Sequence, residues 1–389
     1  MPEGLSNRPP EPTPEQIDEV ARRFLTTTEM VAEARRRLHP HVWDFVAGGT
    51  ETEATLARNR LAIDVWALRP RVLRDVLTET VDPSTMLLGV KLRIPVLFAP
   101  VGGMNLLDPL AALNSIRASA SRQTMTFLSS VSEPEVEIGA SEAEGRLVLQ
   151  LYVRGDAAWV DAYVERVAKA GCKAICFTVD SDTYSRRERN QLNRFFGGGP
   201  NTASQPSGRA GVMSNIGREH QEKFSWRDVE RVRRKFNLPI VLKGIATAED
   251  AKLAVEHGVA VIYVSNHGGR QLDHGQGGLE MVPEIVAAVN GRADVVVDGG
   301  FARGTDVLKA IALGVKAVGI GKLQAWAMAA GGQAAMPRLL DLLEEEIIKD
   351  MMLLGVTKLA QLDRSYLVPA QPVTWPSSLS AFPHLDRYK

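Results

Sequence analysis

The segment Ser265-Asn266-His267-Gly268-Gly269-Arg270-Gln271-Leu272-Asp273 follows an apolar run, Val261-Ile262-Tyr263-Val264. A histidine and an arginine three residues apart, set among glycines where a buried strand opens into a loop, place a titratable base beside an anion clamp. That pairing suits oxidation of a substrate that carries a carboxylate.

Polar residues recur where other apolar runs end: Gln150-Leu151-Tyr152, Thr178-Val179-Asp180, Lys243-Gly244 and Asp298-Gly299-Gly300. Alternate residues of a strand point the same way, so Gln150 with Tyr152, and Thr178 with Asp180, each present a pair of side chains to one surface. Burying so many polar groups is costly unless they meet each other or a ligand. After Asp298 comes Gly299-Gly300-Phe301-Ala302-Arg303-Gly304, and the last run ends Gly321-Lys322. Backbone amides in such loops, together with a helix start, suit a phosphate, so a phosphorylated ligand is implied. Each residue also has a plainer reading. Lys243 on a barrel strand could form a Schiff base, Asp298 could serve a turn, Tyr152 could be core, and Glu344-Glu345-Glu346 reads as a solvated helix face.

The elements that must position these residues are eight short apolar or β-branched runs: 95–100, 124–130, 146–153, 173–180, 239–244, 261–266, 294–300 and 317–322. Helix-period segments separate them. Asp156 can cap a helix whose Val160, Tyr163, Val164 and Val167 share one face; Thr247 with Asp250 forms a capping box for a helix ended by Gly258; Thr305 opens a helix that stops at Gly314. Eight strand-plus-helix units predict a parallel (β/α)8 TIM barrel, with function at the carboxyl ends of the strands. A single barrel domain is expected over 27–389, with a flexible segment over 1–26 and a helical extension over 27–64 broken at His39-Pro40 and Gly48-Gly49. About forty residues between the fourth strand and the helix near Trp226, including Gly197-Gly198-Gly199-Pro200, exceed an ordinary connection and predict a lid over about 184–225.

Composition sets the remaining bounds. The 389 residues carry 46 basic and 46 acidic side chains, which argues against nucleic acid or an anionic membrane surface as a partner. No run reaches membrane-spanning length and no apolar signal segment opens the chain, so a cytoplasmic protein is expected. Cys172 and Cys176 are too few for a zinc site and poorly spaced to pair; they read as core thiols, and no metal site is expected.

The ordered motifs Gln150-Leu151-Tyr152, Thr178-Val179-Asp180, Ser185-Arg186-Arg187-Glu188, Leu242-Lys243-Gly244, Ser265 to Asp273, and Asp298-Gly299-Gly300 with Arg303-Gly304-Thr305-Asp306 resemble the FMN-dependent α-hydroxy-acid oxidases and dehydrogenases. This is the group of glycolate oxidase, lactate oxidase and mandelate dehydrogenase, and the resemblance spans roughly residues 30–368. It implies FMN as cofactor and His267 as the base that takes a proton while two electrons pass to flavin N5. Asp180 would stabilise the imidazolium, Arg187 and Arg270 would hold the substrate carboxylate, and Tyr152 would bond the reacting end. Lys243 would lie near flavin N1 and O2. Gln150, Thr178, Ser129 and Ser265 would meet the isoalloxazine edge, with the backbone of Pro100, Val101 and Gly102 behind it. Asp298, Gly299, Gly300, Arg303, Gly321 and Lys322 would hold the ribityl chain and phosphate. A homo-oligomer, by resemblance a tetramer, is also implied.

Departures from the family pattern shape the expected substrate. Phe45 stands where many members have a tyrosine that helps bind the carboxylate, and a hydrogen bond to a charged partner contributes about 1.5–3 kcal/mol. Gly102-Gly103 replaces bulkier residues and leaves space near the flavin, while Ala302 and Lys322 replace arginines at the phosphate. The reading is therefore oxidation of an (S)-2-hydroxy acid larger than glycolate to its 2-oxo acid, with oxygen or another carrier as electron acceptor. Its rivals are the same flavin barrel acting on an amino acid, amine or peptide, a Lys243 Schiff-base lyase, and a non-catalytic binding protein.

Overall fold

A computed structural model describes residues 11–195 and 218–387. Eight parallel strands close into one barrel: β1 (Val96–Phe98), β2 (Met125–Ser129), β3 (Leu147–Leu151), β4 (Ile175–Thr178), β5 (Ile240–Ile245), β6 (Val261–Val264), β7 (Asp294–Asp298) and β8 (Ala317–Ile320), which pairs back onto β1. Each lies inside a run expected from the sequence except β5, which extends one residue past 239–244 to Ile245. Helices cover the outside of the barrel, so both faces of every strand are buried and the strands read as nearly continuous apolar runs.

Side chains inside the barrel change character from bottom to top. The lower layers hold Met125, Phe127, Val148, Cys176, Val241, Val261, Tyr263 and Val296. A short hairpin, Thr85–Leu87 with Val90–Leu92, plugs that end with the fully buried Leu87 and Leu92. Two residues further along the same strands stand Ser129, Gln150, Thr178, Lys243, Ser265 and Asp298, all buried and all polar. The strand period of two thus carries each strand from a hydrophobic plug to a polar rim.

Local capping follows the sequence closely. Asp156 accepts from Trp159 N at 2.9 Å and starts Ala157–Lys169, whose Val160, Val164 and Val167 are buried. Thr247 accepts from Asp250 N ahead of Ala248–Glu256, and Gly304–Ala312 stops before Gly314 at φ 101°. The helical extension comprises Thr27–Arg37, Pro40–Ala47 and Ala54–Asp64.

Two expectations need correction, and a third falls largely outside the described residues. Part of the amino-terminal segment expected to be flexible is a helix, Pro14–Arg23, followed by the buried Phe24. Its polar composition conceals a capping box from Thr13 to Gln16 with proline at the first turn, and Arg338 Nε donates to Phe24 O at 3.0 Å. The triple-glutamate face is ion-paired as well as solvated: Glu344 meets Arg93, Glu345 meets Arg338 and Glu346 meets Arg303. Of the expected lid, 196–217 lies outside the described residues; its described flanks contain the short helices Glu188–Leu192 and Arg218–Lys223.

Candidate active site

Directly after β6 the backbone turns through three consecutive positive φ values, at His267 (60°), Gly268 (64°) and Gly269 (73°). A Cβ on Gly269 would lie 2.6 Å from Leu56 Cα, so only glycine fits there. Histidine in this region costs roughly 1–2 kcal/mol of backbone strain, and the surrounding bonds hold it in place. His267 N donates to Ser265 Oγ at 3.0 Å, and the ring is fixed by Asp180, two residues beyond β4. Nδ1 lies 2.9 Å from Asp180 Oδ1, while Ser181 Oγ donates to the same carboxylate oxygen at 3.1 Å and sits 3.3 Å from Nδ1. A proton on Nδ1 meets Asp180 Oδ1, while Oδ2 is buried with no partner among the described residues, and it leaves the Nε2 lone pair facing Tyr152 OH, 3.3 Å away.

Electrostatics favour the neutral ring. Burial lowers the His267 pKa below 6.5, the nearby cations Lys243 and Arg187 lower it further, and Asp180 opposes without reversing the direction. Asp180 remains a carboxylate: burial raises its pKa, but His267, Lys243 and Ser181 bring it below the ordinary value. Burial pushes Tyr152 up to about 12, so its hydroxyl keeps its proton.

The anion clamp forms above this pair. Arg270 Nη1 donates to Phe45 O at 2.7 Å and to Gly48 O at 3.0 Å, and its guanidinium lies 5.1 Å from the Phe45 ring centroid. Ser185 Oγ donates to Arg270 O, tying this turn to the loop that carries Arg187. Arg187 Nη1 donates to Tyr184 OH at 3.0 Å, whereas its buried Nε has no hydrogen-bond partner among the described residues. Burial and then Arg187 lower the Arg270 pKa, and burial with both arginines pulls Lys322 well below the ordinary lysine value. Lys322 Nζ donates to Gly268 O at 3.1 Å. Cations forced together in this way gain from an incoming anion.

Beneath the clamp, Lys243 Nζ donates to Ser265 Oγ at 2.8 Å, and Ser265 Oγ donates to Asp298 Oδ1 at 2.6 Å. Burial opposes the Lys243 charge, but Asp298, 3.3 Å away, and Asp180 raise its pKa above the ordinary value. A held cation is a poor Schiff-base nucleophile, which removes the motive for a lyase. Ser129 Oγ donates to Gln150 Oε1 at 2.7 Å, leaving Gln150 Nε2, like the buried Thr178 Oγ1, without a partner among the described residues.

One cavity of about 600 Å³ joins these groups. Pro100, Val101, Gly102, Tyr152, Arg187, Lys243, His267, Arg270, Asp298, Gly299, Gly300, Gly321 and Lys322 line it; Asp180, Ser129, Gln150, Thr178 and Ser265, also expected at the site, are not among its lining residues. Asp298 is its one carboxylate among the described residues, and Lys243 is already paired to it. FMN suits such a chamber: unpartnered Gln150 and Thr178 can meet the heteroatoms of a flavin edge, Lys243 can face its electron-rich end, and Lys322 can meet a phosphate.

Two expectations fail here. Arg303 does not line the cavity; it stands ahead of Gly304–Ala312, and Glu346 holds its guanidinium through Nε at 3.2 Å and Nη2 at 2.5 Å. Gly102 opens little space, because a Cβ there would meet Val131 Cγ2 at 2.9 Å. Conversely, sequence reading missed Ser181, Tyr184, Arg60 and the Ser377-Ser378 pair. Arg60 lines the cavity from the helical extension and is bound to Asp64 and Asp306. Its helix, Ala54–Asp64, has no apolar stripe to show which face is inward, so only the matching Asp306 could have flagged the buried Arg60.

Comparison with known proteins agrees with this geometry. The profile of FMN-dependent dehydrogenases matches residues 34–369. The chain belongs to that family. It is 38% identical to an L-lactate oxidase of Nostoc sp. over 86% of this chain and 95% of the relative. Against a 4-hydroxymandelate oxidase of Amycolatopsis orientalis the figures are 40%, 85% and 95%. A crystal structure of mandelate oxidase superposes with TM-score 0.82 at 38% identity, covering 90% of this chain and all of that one. Another mandelate oxidase structure contains an FMN adduct. As a family member this chain is an FMN-dependent α-hydroxy-acid oxidoreductase with FMN as its cofactor.

With Arg303 turned to Glu346 and no charge at Ala302, Lys322 is the remaining cation of the expected phosphate set that lines the cavity. Lys322→Met should weaken FMN binding by about 10- to 100-fold, the value of one charged hydrogen bond. Fluorescence titration of the stripped protein with FMN reads this directly. Unchanged affinity would place the phosphate elsewhere.

Proposed function

We propose that this chain oxidises an (S)-2-hydroxy acid with a side chain larger than that of glycolate to the 2-oxo acid, with His267 as base. The supporting observation is that His267 Nε2, Tyr152 OH and the unneutralised Arg187 and Arg270 belong to one cavity. Bound FMN supplies the two-electron acceptor for this chemistry. Arg187 and Arg270 hold the carboxylate, which fixes the neighbouring carbon and its hydroxyl relative to the ring of His267. His267 takes the substrate proton on Nε2, and Asp180 stabilises the resulting positive charge through Nδ1. Tyr152 supplies a hydrogen bond at the same position. Lys243 is a fixed positive charge beneath the reacting centre.

Phe45, Leu107 and Val131 give the cavity an apolar wall, and aryl hydroxy acids are the named ligands of similar proteins, including 4-hydroxymandelate and (S)-mandelic acid. Oxygen is the proposed acceptor, since the matched relatives are named as oxidases. A cytoplasmic homo-oligomer completes the proposal, supported by the balanced charge and the family resemblance.

Anaerobic mixing of the holoenzyme with (S)-lactate, glycolate and (S)-mandelate tests the reading. Mandelate should bleach the flavin at the lowest concentration, and a flavin left oxidised by all three acids would refute it. The pH dependence has a definite sign. Neutral His267 is the working form and its pKa is lowered, so kcat/KM should be level at neutral pH and fall about tenfold per unit only as pH drops through a value below 6.5. A limb centred above 6.5 would remove His267 as the titrating base.

A further inference from the structure

We propose that Tyr184 is a further substrate-binding residue, whose hydroxyl donates a hydrogen bond to the substrate carboxylate beside Arg187; this rests on the carboxylate-clamp reading above. Tyr184 lines the cavity from the loop between β4 and the helix Glu188–Leu192. Its oxygen accepts from Arg187 Nη1 at 3.0 Å, and the Arg187 guanidinium lies 4.6 Å from its ring centroid. The ring therefore orients the guanidinium by stacking while the hydroxyl marks the edge of the clamp.

The same phenol, on a side chain 43% exposed, lies close enough to influence the titration of both Tyr152 and Arg270. The two tyrosines divide the work. Tyr152 OH is committed to His267 Nε2 at the reacting end, and Tyr184 OH is at the anion end. Phe45, whose ring underlies Arg270, has no hydroxyl to offer there. A phenol that accepts from a guanidinium is polarised into a stronger donor, which is what a carboxylate needs. An acid bound between Arg187 and Arg270 would thus receive a neutral donor as well as two charged ones.

The test is titration of wild-type, Tyr184→Phe and Tyr184→Leu holoenzymes with benzoylformate and with its neutral carboxamide, read by perturbation of the flavin absorbance. Tyr184→Phe should weaken benzoylformate by about tenfold, with the carboxamide weakened much less, because a bond to a charged acceptor is worth more than one to a neutral acceptor. Tyr184→Leu should lose at least as much, since the ring under Arg187 also goes. In turnover with mandelate the loss should appear in KM and far less in kcat. Equal benzoylformate affinity in wild type and Tyr184→Phe overturns the inference, as does equal weakening of acid and amide, or failure of benzoylformate to bind the wild type. Wild-type flavin bleaching by (S)-mandelate separately decides whether the underlying functional reading stands.

Discussion

Replacing His267 with alanine should leave a yellow holoenzyme whose flavin is reduced by a 2-hydroxy acid about 10²- to 10⁴-fold more slowly, the usual contribution of a positioned general base. The imidazole contacts Asp180, Ser181 and Tyr152, whereas the residues suited to FMN, Lys243, Ser265, Asp298 and Lys322, make their bonds without it. Cofactor content should therefore survive while proton removal does not. Anaerobic stopped-flow bleaching beside a flavin-to-protein ratio separates the two effects. Wild-type bleaching rates in His267→Ala would show that Nε2 is not the acceptor.

Arg187→Met should lower kcat/KM by about 10²- to 10³-fold, the loss expected when a two-pronged charged contact to a carboxylate disappears. This arginine is a cleaner probe than Arg270, whose guanidinium also ties Phe45 O and Gly48 O together and would damage the loop if removed. Arg187 bonds only Tyr184 among the described residues, and its Nε is buried without a partner. The free protein should lose little stability, because one of two mutually repelling cations has gone. Steady-state kinetics with mandelate, together with a denaturant melt, would check both halves. A variant that keeps its kcat/KM would mean that Arg187 does not touch substrate.

Much of this architecture is legible in the sequence. Parallel strands covered on both faces must be apolar along their whole length, so 146–153 or 261–266 announce themselves, and caps such as Asp156 and Thr247 mark helix starts chemically. The rim residues could be named because polar groups at the ends of apolar strands have few structural uses. Direction was the part that could not be read. Arg303 sits in a phosphate-like loop, yet its side chain turns outward to Glu346, forty-three positions later in the chain, and no local rule encodes that choice. The positive φ of His267 is equally hidden, since histidine has no preference strong enough to declare it. Arg60 pairs with Asp306 from a distant helix, and Ser377-Ser378 reach the cavity from beyond the residues the family profile matches. No sequence signal marks Tyr184 and Ser181; contacts with Arg187 and Asp180 place them at the site.

A crystal structure of the FMN holoenzyme with benzoylformate is the most direct test of a cavity built to hold a 2-hydroxy acid between a base and a clamp. Its carboxylate should lie against Arg187 and Arg270, and its keto oxygen within hydrogen-bond reach of His267 Nε2 and Tyr152 OH. A carboxylate bound away from both guanidinium groups, or a keto oxygen out of reach of the imidazole, would contradict it.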